Sequence, residues 1–335
     1  MPKPEHMEGY KRKLRWQSIA VLAFMFVLFA GAGFQRFMLW NDGDKYPPPG
    51  YILEDPVPFD FDYGENEYAS GTSIHVLTAG ERTGTQPAIL LLGGWREASP
   101  VLDYGPLSAI LREHARVIIP ELPGRGWSGG TYSGRTLDNM LADIRGTLHH
   151  LGETGPCLIV AHTTAGLEAV HFANEYPGEV SGIVFLDAPA PAAYSYRLGG
   201  IQDYIKGYSY QVPKHTGIFR VISLFAPELF APDNPEVNTA AYAAMYCKNV
   251  MSPAMLAERR NLSENAKTAY MGGIPAVPVK SFVDTKSYNA NPELNRVWSE
   301  FNNAIGAEVI AADGAASLHI TNPKMLADEI LKMMS

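Results

Sequence analysis

Two cysteines in 335 residues, Cys157 and Cys247, are too few and too far apart for a disulfide framework or a paired-cysteine metal site. Cys157 lies in the apolar run Cys157-Leu158-Ile159-Val160 and reads as a small buried hydrophobe. The nine histidines are scattered. The one adjacent pair, His149-His150, falls on a helical stretch that sends its rings to different faces, so no metal constellation is visible. No glycine-rich phosphate or dinucleotide loop follows the first strand-like run, and no cofactor is implied. Repeats are missing as well: the 31 glycines and 25 prolines show no fixed period. Basic charge is sparse outside the amino terminus. Residues 1–40 carry six basic residues (Lys3, Lys11, Arg12, Lys13, Arg15, Arg36) and two acidic ones (Glu5, Glu8). With 27 basic and 35 acidic residues in the whole chain, the rest holds 21 and 33, a net charge of −12. A body this acidic is a poor partner for nucleic-acid phosphates.

What is present is apolar residue, 46% of the chain against 19% charged, enough for a sizeable core. Residues 1–15 form a polar, basic head. From Trp16 to Phe34 the only polar side chains are Gln17 and Ser18. A helix of that length just spans a hydrocarbon core of about 30 Å. Five basic residues precede it, and only Arg36 and Lys45 follow closely. That bias keeps the amino terminus in the cytoplasm and places the body outside. The segment 16–40 is therefore expected to be a transmembrane anchor in the cell membrane. The competing reading is a signal peptide cleaved near Ala32, since Ala30-Gly31-Ala32 has small residues at a suitable spacing; the body would then be secreted. Residues 41–70, with Tyr46-Pro47-Pro48-Pro49-Gly50, read as an extended linker.

From residue 71 to 335, short apolar runs alternate with helical stretches. This pattern predicts an α/β domain with a mostly parallel sheet and helices on both faces. Expected strands are Ile74–Leu77, Ala88–Leu92, Arg116–Pro120, Cys157–Val160, Gly182–Leu186, Val277–Val283 and Glu308–Ala312. Expected helices are Leu107–Glu113, Thr136–Leu151, Ala165–Tyr176 and about Pro323–Met333. About 90 residues without strand pattern separate the fifth and sixth of these strands. They begin with Tyr194, Tyr196, Tyr204, Tyr208 and Tyr210, and about 190–275 is expected to be a helical cap over the strand ends.

Four features then converge. Gly93-Gly94-Trp95 and Pro123-Gly124-Arg125-Gly126-Trp127-Ser128 each follow a strand. Ala161-His162-Thr163-Thr164-Ala165-Gly166 joins a strand to a helix, and Asp284 follows Val277–Val283. In this order they resemble the α/β-hydrolase superfamily, and most of all membrane-anchored bacterial members with a YPPPG segment. The resemblance implies a nucleophile elbow at Thr163, where the family pattern has serine. It implies an oxyanion hole made of the backbone N–H groups of Trp95 and Thr164. Asp284 takes the acid position, with Asp187 as the alternative, and Asp313 reads as a turn residue. The histidine position, seven residues before Pro323, holds Ala316. His319 matches a neighbouring, non-catalytic family position and reaches the site only if the loop is displaced by a turn. His162 is expected to point away from the site. Two functions remain open. One is an ester or acyl hydrolase with Thr163 as nucleophile and an unorthodox base. The other is an inactive relative that binds a small apolar ligand or a protein partner. Either way an ester-like or apolar small molecule is expected under the cap.

Overall fold

The computed structural model describes residues 4–54, 73–129, 134–194 and 208–334. Eight strands form one sheet: β1 (Tyr51–Glu54), β2 (Ser73–Ala79), β3 (Ala88–Leu92), β4 (Val117–Glu121), β5 (Cys157–His162), β6 (Val180–Leu186), β7 (Val279–Asp284) and β8 (Glu308–Ala312). Their order is β1-β2-β4-β3-β5-β6-β7-β8. β2 runs antiparallel to β1 and β4; all other pairs are parallel. The helices in chain order are α1 (Pro4–Lys45), α2 (Pro100–Asp103), α3 (Gly105–Leu111), α4 (Leu137–His150), α5 (Ala165–Glu175), α6 (Gln211–His215), α7 (Ile218–Phe225), α8 (Thr239–Asn249), α9 (Pro253–Met271), α10 (Thr285–Ala290), α11 (Pro292–Ala304), α12 (Leu318–Thr321) and α13 (Pro323–Lys332).

The sheet is buried on both faces because its central strands are apolar at nearly every position, β3 throughout. Alternate side chains point to opposite sides. Leu90 and Ile159 meet Leu141, Ile144 and Phe172 from α4 and α5. Ile89, Leu91 and Val160 meet Leu107, Leu111, Leu326 and Ile330 from α3 and α13. Local signals set the helix starts. The Thr136 hydroxyl accepts the Asn139 N–H at the start of α4, and Asn322 caps α13 through the Met325 N–H, with Pro323 at the first helical position.

All seven expected strands are present within a few residues, and α6 to α9 occupy the expected cap. Two expectations need correction. Asn41–Lys45 does not start a spacer but continues α1. The proline segment is also held against the domain: the Trp127 indole N–H donates to the Tyr46 carbonyl at 2.9 Å, and His75 Nε2 lies 2.5 Å from the Pro49 carbonyl. β1 then joins the sheet edge. Residues 55–70 of the expected linker, and Tyr196 and Tyr204, lie outside the described residues.

Candidate active site

The central turn is set by β5 and α5. Thr163 ends the strand with φ +48°, and its N–H donates to the Leu186 carbonyl of β6 at 3.0 Å. A β-branched residue in the left-handed region is a genuine outlier, costing on the order of 1–3 kcal/mol, and persists only where its surroundings hold it. Here the flanking strand and helix do so. Gly166 allows the close approach: a methyl there would sit 2.8 Å from the Ala188 Cβ. Thr163 is half-buried and has the strained strand-to-helix backbone of a nucleophile elbow.

The loop after β3 packs against this turn. A methyl on Gly94 would collide with the Thr163 hydroxyl and lie 3.5 Å from Glu97 Oε1, so hydroxyl and carboxylate border the same glycine. The Gly94 N–H donates to Glu97 Oε1 at 2.9 Å. The Trp95 N–H donates to the Thr164 hydroxyl, also at 2.9 Å. The expected oxyanion donor thus already has a partner within the protein. His162 departs from expectation. Its ring does not turn away; it lines the site and forms a close pair between Nδ1 and Glu97 Oε1. Burial pulls the His162 pKa down, but the Glu97 carboxylate, then Asp103 and a backbone hydrogen bond at Ala316, together outweigh it and the net shift is upward.

Ala316 lines the same cavity and presents only a methyl. His319 is buried behind it, with ring centroids 4.9 Å from His162 and 5.0 Å from Tyr104. Burial, then the neighbouring His162, hold its pKa well below the ordinary histidine value, so it is neutral at pH 7. Asp284 is buried at the end of β7, and its Oδ2 accepts the Gly314 N–H at 2.6 Å, in the loop that carries Ala316. Asp187 is nearby: its Oδ1 accepts the Asp284 N–H at 3.4 Å. Asp313 pairs with the Thr285 hydroxyl.

Trp95, Glu97, His162, Thr163, Thr164 and Ala316 border a cavity of about 450 Å³ beyond the strand ends, whereas Asp284, Asp187, Asp313 and His319 do not line it. A larger one, about 660 Å³, lies between α9 and α11 and contains none of them. The position of open α/β ligand sites favours the smaller. Pro189, Tyr194 and Leu262 supply its apolar wall; among the described residues of the tyrosine cluster, Tyr194 alone lines it. Arg96 and Arg259 supply charge, their guanidinium carbons 5.8 and 5.3 Å from the Trp95 ring centroid. Sequence reasoning missed Glu97, Arg96 and Arg259. The signal available for the first two was a charged pair directly after Gly93-Gly94-Trp95; nothing local marked Arg259.

Residues 89–329 match the Alpha/beta hydrolase family. The chain is 22% identical over 276 residues to the uncharacterized protein YbdG of Bacillus subtilis strain 168, covering 78% of this chain and 82% of that one. It is 32% identical over 108 residues to a pimeloyl-[acyl-carrier protein] methyl ester esterase of Xylella fastidiosa, only 32% of this chain and 39% of that protein. Among solved structures, Cfl2 from Burkholderia cenocepacia superposes with a TM-score of 0.58 at 19% identity, covering 85% of this chain and all of that one. A putative epoxide hydrolase from Pseudomonas aeruginosa gives 0.59 at 17% identity, covering 83% and 96%. At these identities the structural likenesses establish fold.

Proposed function

Because the chain belongs to the α/β-hydrolase family, we propose that it is a membrane-anchored, extracytoplasmic member that binds an anionic small molecule beneath its cap without triad hydrolysis. The observation that carries this reading is the hydrogen bond from the Trp95 N–H to the Thr164 hydroxyl. Together with Ala316, it removes two needs of acyl transfer: a donor waiting for the oxyanion and a base facing the nucleophile. A threonine hydroxyl without a positioned base is a weak nucleophile. Arg96 and Arg259 flanking Trp95 favour a ligand with a negative group, and Tyr194 and Leu262 favour an apolar body.

Titration calorimetry on the full chain in nanodiscs tests ligand class. Hexanoate is expected to bind, its neutral isostere hexanamide to bind at least tenfold more weakly, and the Arg96→Gln/Arg259→Gln variant to lose the distinction. Equal binding of both probes by the unmodified protein would refute the anionic ligand.

The anchor reading is supported by Trp16–Lys45, whose most apolar 18-residue stretch has a mean hydropathy of 2.0 and is not buried in the protein, together with the basic head before it. Protease added to intact spheroplasts is expected to digest the domain. A domain protected until the membrane is opened would contradict the topology.

A second reading follows from Gly94. Since the Thr163 hydroxyl and Glu97 border the same glycine, and Glu97 pairs with His162, that pair is the alternative base. Under this reading any slow ester turnover by the unmodified chain disappears in His162→Asn. Turnover unaffected by that change would exclude it.

A further inference from the structure

Helices α6 and α7 of the cap are inside out. Their cations point inward: Lys214 donates to the Val250 carbonyl at 2.9 Å, and Arg220 pairs with Asp42 of α1 at 2.7 Å. Their apolar side chains point outward. Leu224 is 56% exposed, Phe225 85%, and Leu229 in the following turn 72%, with Val212, Ile218 and Val221 exposed beside them. A surface helix in water has the reverse arrangement, and a contiguous apolar patch marks a contact surface.

The contact between the cap and α1 indicates what covers this patch. A methyl on Gly31 would run into the Thr216 carbonyl, and one on Gly217 would lie 2.6 Å from the Gly31 carbonyl. The turn leading into α7 is therefore packed on α1 at Gly31. That residue lies inside the apolar run that ends at Phe34, about 4.5 Å of helix rise from its end at about 1.5 Å per residue. Gln35 and Asp42 fix the rotation of α1 against the cap. Gln35 Nε2 donates to the Cys247 carbonyl at 3.2 Å, and Asp42 takes Arg220. A bilayer that contains the run 16–34 therefore also reaches the start of α7. Amphipathic helices in membrane interfaces sit about 5–10 Å into the headgroup and acyl boundary.

We infer that α7 and the turn to Leu229 lie in the lipid interface on the domain's side of the membrane, with Leu224, Phe225 and Leu229 among the acyl chains. The inference rests on the anchor reading above. It commits to lipid rather than a second copy of the chain because the packing of Gly217 on Gly31 sets the depth of the start of α7 within a single molecule. The same helix packs on an apolar cluster that borders the ligand site. Phe219 packs on Tyr210 and Tyr246, at 5.8 and 5.9 Å between ring centroids, in the cluster that Trp95 joins. The cap wall over the pocket is thus continuous with the membrane-facing helix.

The test uses the full chain, one copy per nanodisc of phosphatidylcholine and phosphatidylglycerol. Phe225→Cys, with Leu224→Cys as a second site, carries an environment-sensitive nitrobenzoxadiazole label; Lys324→Cys on α13 serves as the exposed control. The native cysteines are buried. At positions 225 and 224 the emission is expected to be blue-shifted, quenched several-fold more by doxyl-labelled lipid than at 324, and shielded from iodide. A label at 225 quenched by iodide as strongly as at 324 overturns the inference. A label shielded from both quenchers also overturns it, since protein then covers the face. Alkaline carbonate extraction of native membranes reports the anchor separately. A chain released by carbonate overturns the anchor reading and this inference with it; a retained chain with an iodide-accessible label at 225 overturns this inference alone.

Discussion

Esterase activity is expected to appear when Thr163→Ser and Ala316→His are made together, and to rise by a further ~10²–10³-fold in kcat when Thr164→Val is added. The serine removes the methyl that crowds the elbow at φ +48°. The histidine restores a proton acceptor in the loop after β8. That loop is already tied to the acid candidate, because Asp284 Oδ2 holds the Gly314 N–H at 2.6 Å. Valine keeps the shape of Thr164 but cannot accept a hydrogen bond, so the Trp95 N–H is released for a developing oxyanion. Each single change is expected to do little, since nucleophile and base act as a unit and their effects are far from additive. Hydrolysis of p-nitrophenyl acetate by the folded variants is the measurement. A triple variant that folds and binds but remains inert would show that the defect lies elsewhere in the site.

The second large effect is on stability. Beneath the Gly93 loop, Arg125 donates to the Gly93 carbonyl at 3.1 Å and to both oxygens of Glu258 at 2.9 and 2.7 Å. Arg135 lies 3.9 Å from Glu258 and donates to Asp143 at 3.1 Å. All four side chains are buried. Burial first, then the Glu258 charge, push the nearby Glu168 up to about 8, so it is mostly protonated at pH 7. Removing one partner from such a buried pair strands the other, at about 3–5 kcal/mol. Glu258→Leu is therefore expected to lower the melting temperature by on the order of 10 °C. Replacing both partners, Arg125→Met with Glu258→Leu, should recover most of that loss, because no buried charge is stranded. Calorimetric melting of the two variants decides it. A single variant as stable as the unmodified protein, or a double variant worse than the single, would contradict the ion-pair account.

Much of this architecture was readable in the sequence, for identifiable reasons. β3 is Ala-Ile-Leu-Leu-Leu between turn residues, and α4 carries a helical apolar stripe behind a threonine cap. Both signals are local and are decided by burial. The strand–turn–helix was readable because Val160 closes an apolar run and Ala165 opens a helical one, and the family resemblance implied the elbow at Thr163 within it. What was not readable depended on distant partners. Tyr51–Glu54 is a strand because β2 offers it an edge, and nothing in the tetrapeptide announces that. The Tyr-Pro-Pro-Pro-Gly segment looks like a free spacer until His75 and Trp127, far along the chain, reach its carbonyls. His162 turns into the site because Glu97 is there to meet it. The Thr164 hydroxyl on Trp95 involves residues 69 positions apart. The family resemblance implied the two oxyanion donors but not the fact that one was already satisfied.

The most direct test of the central claim, a hydrolase fold that binds without triad turnover, is intact-mass spectrometry after exposure to a fluorophosphonate. The unmodified chain is expected to show no adduct, while Thr163→Ser/Thr164→Val/Ala316→His gains one equivalent on residue 163. A stoichiometric adduct on Thr163 of the unmodified chain, lost in His162→Asn, would contradict the claim and establish Thr163 as an activated nucleophile served by the His162–Glu97 pair.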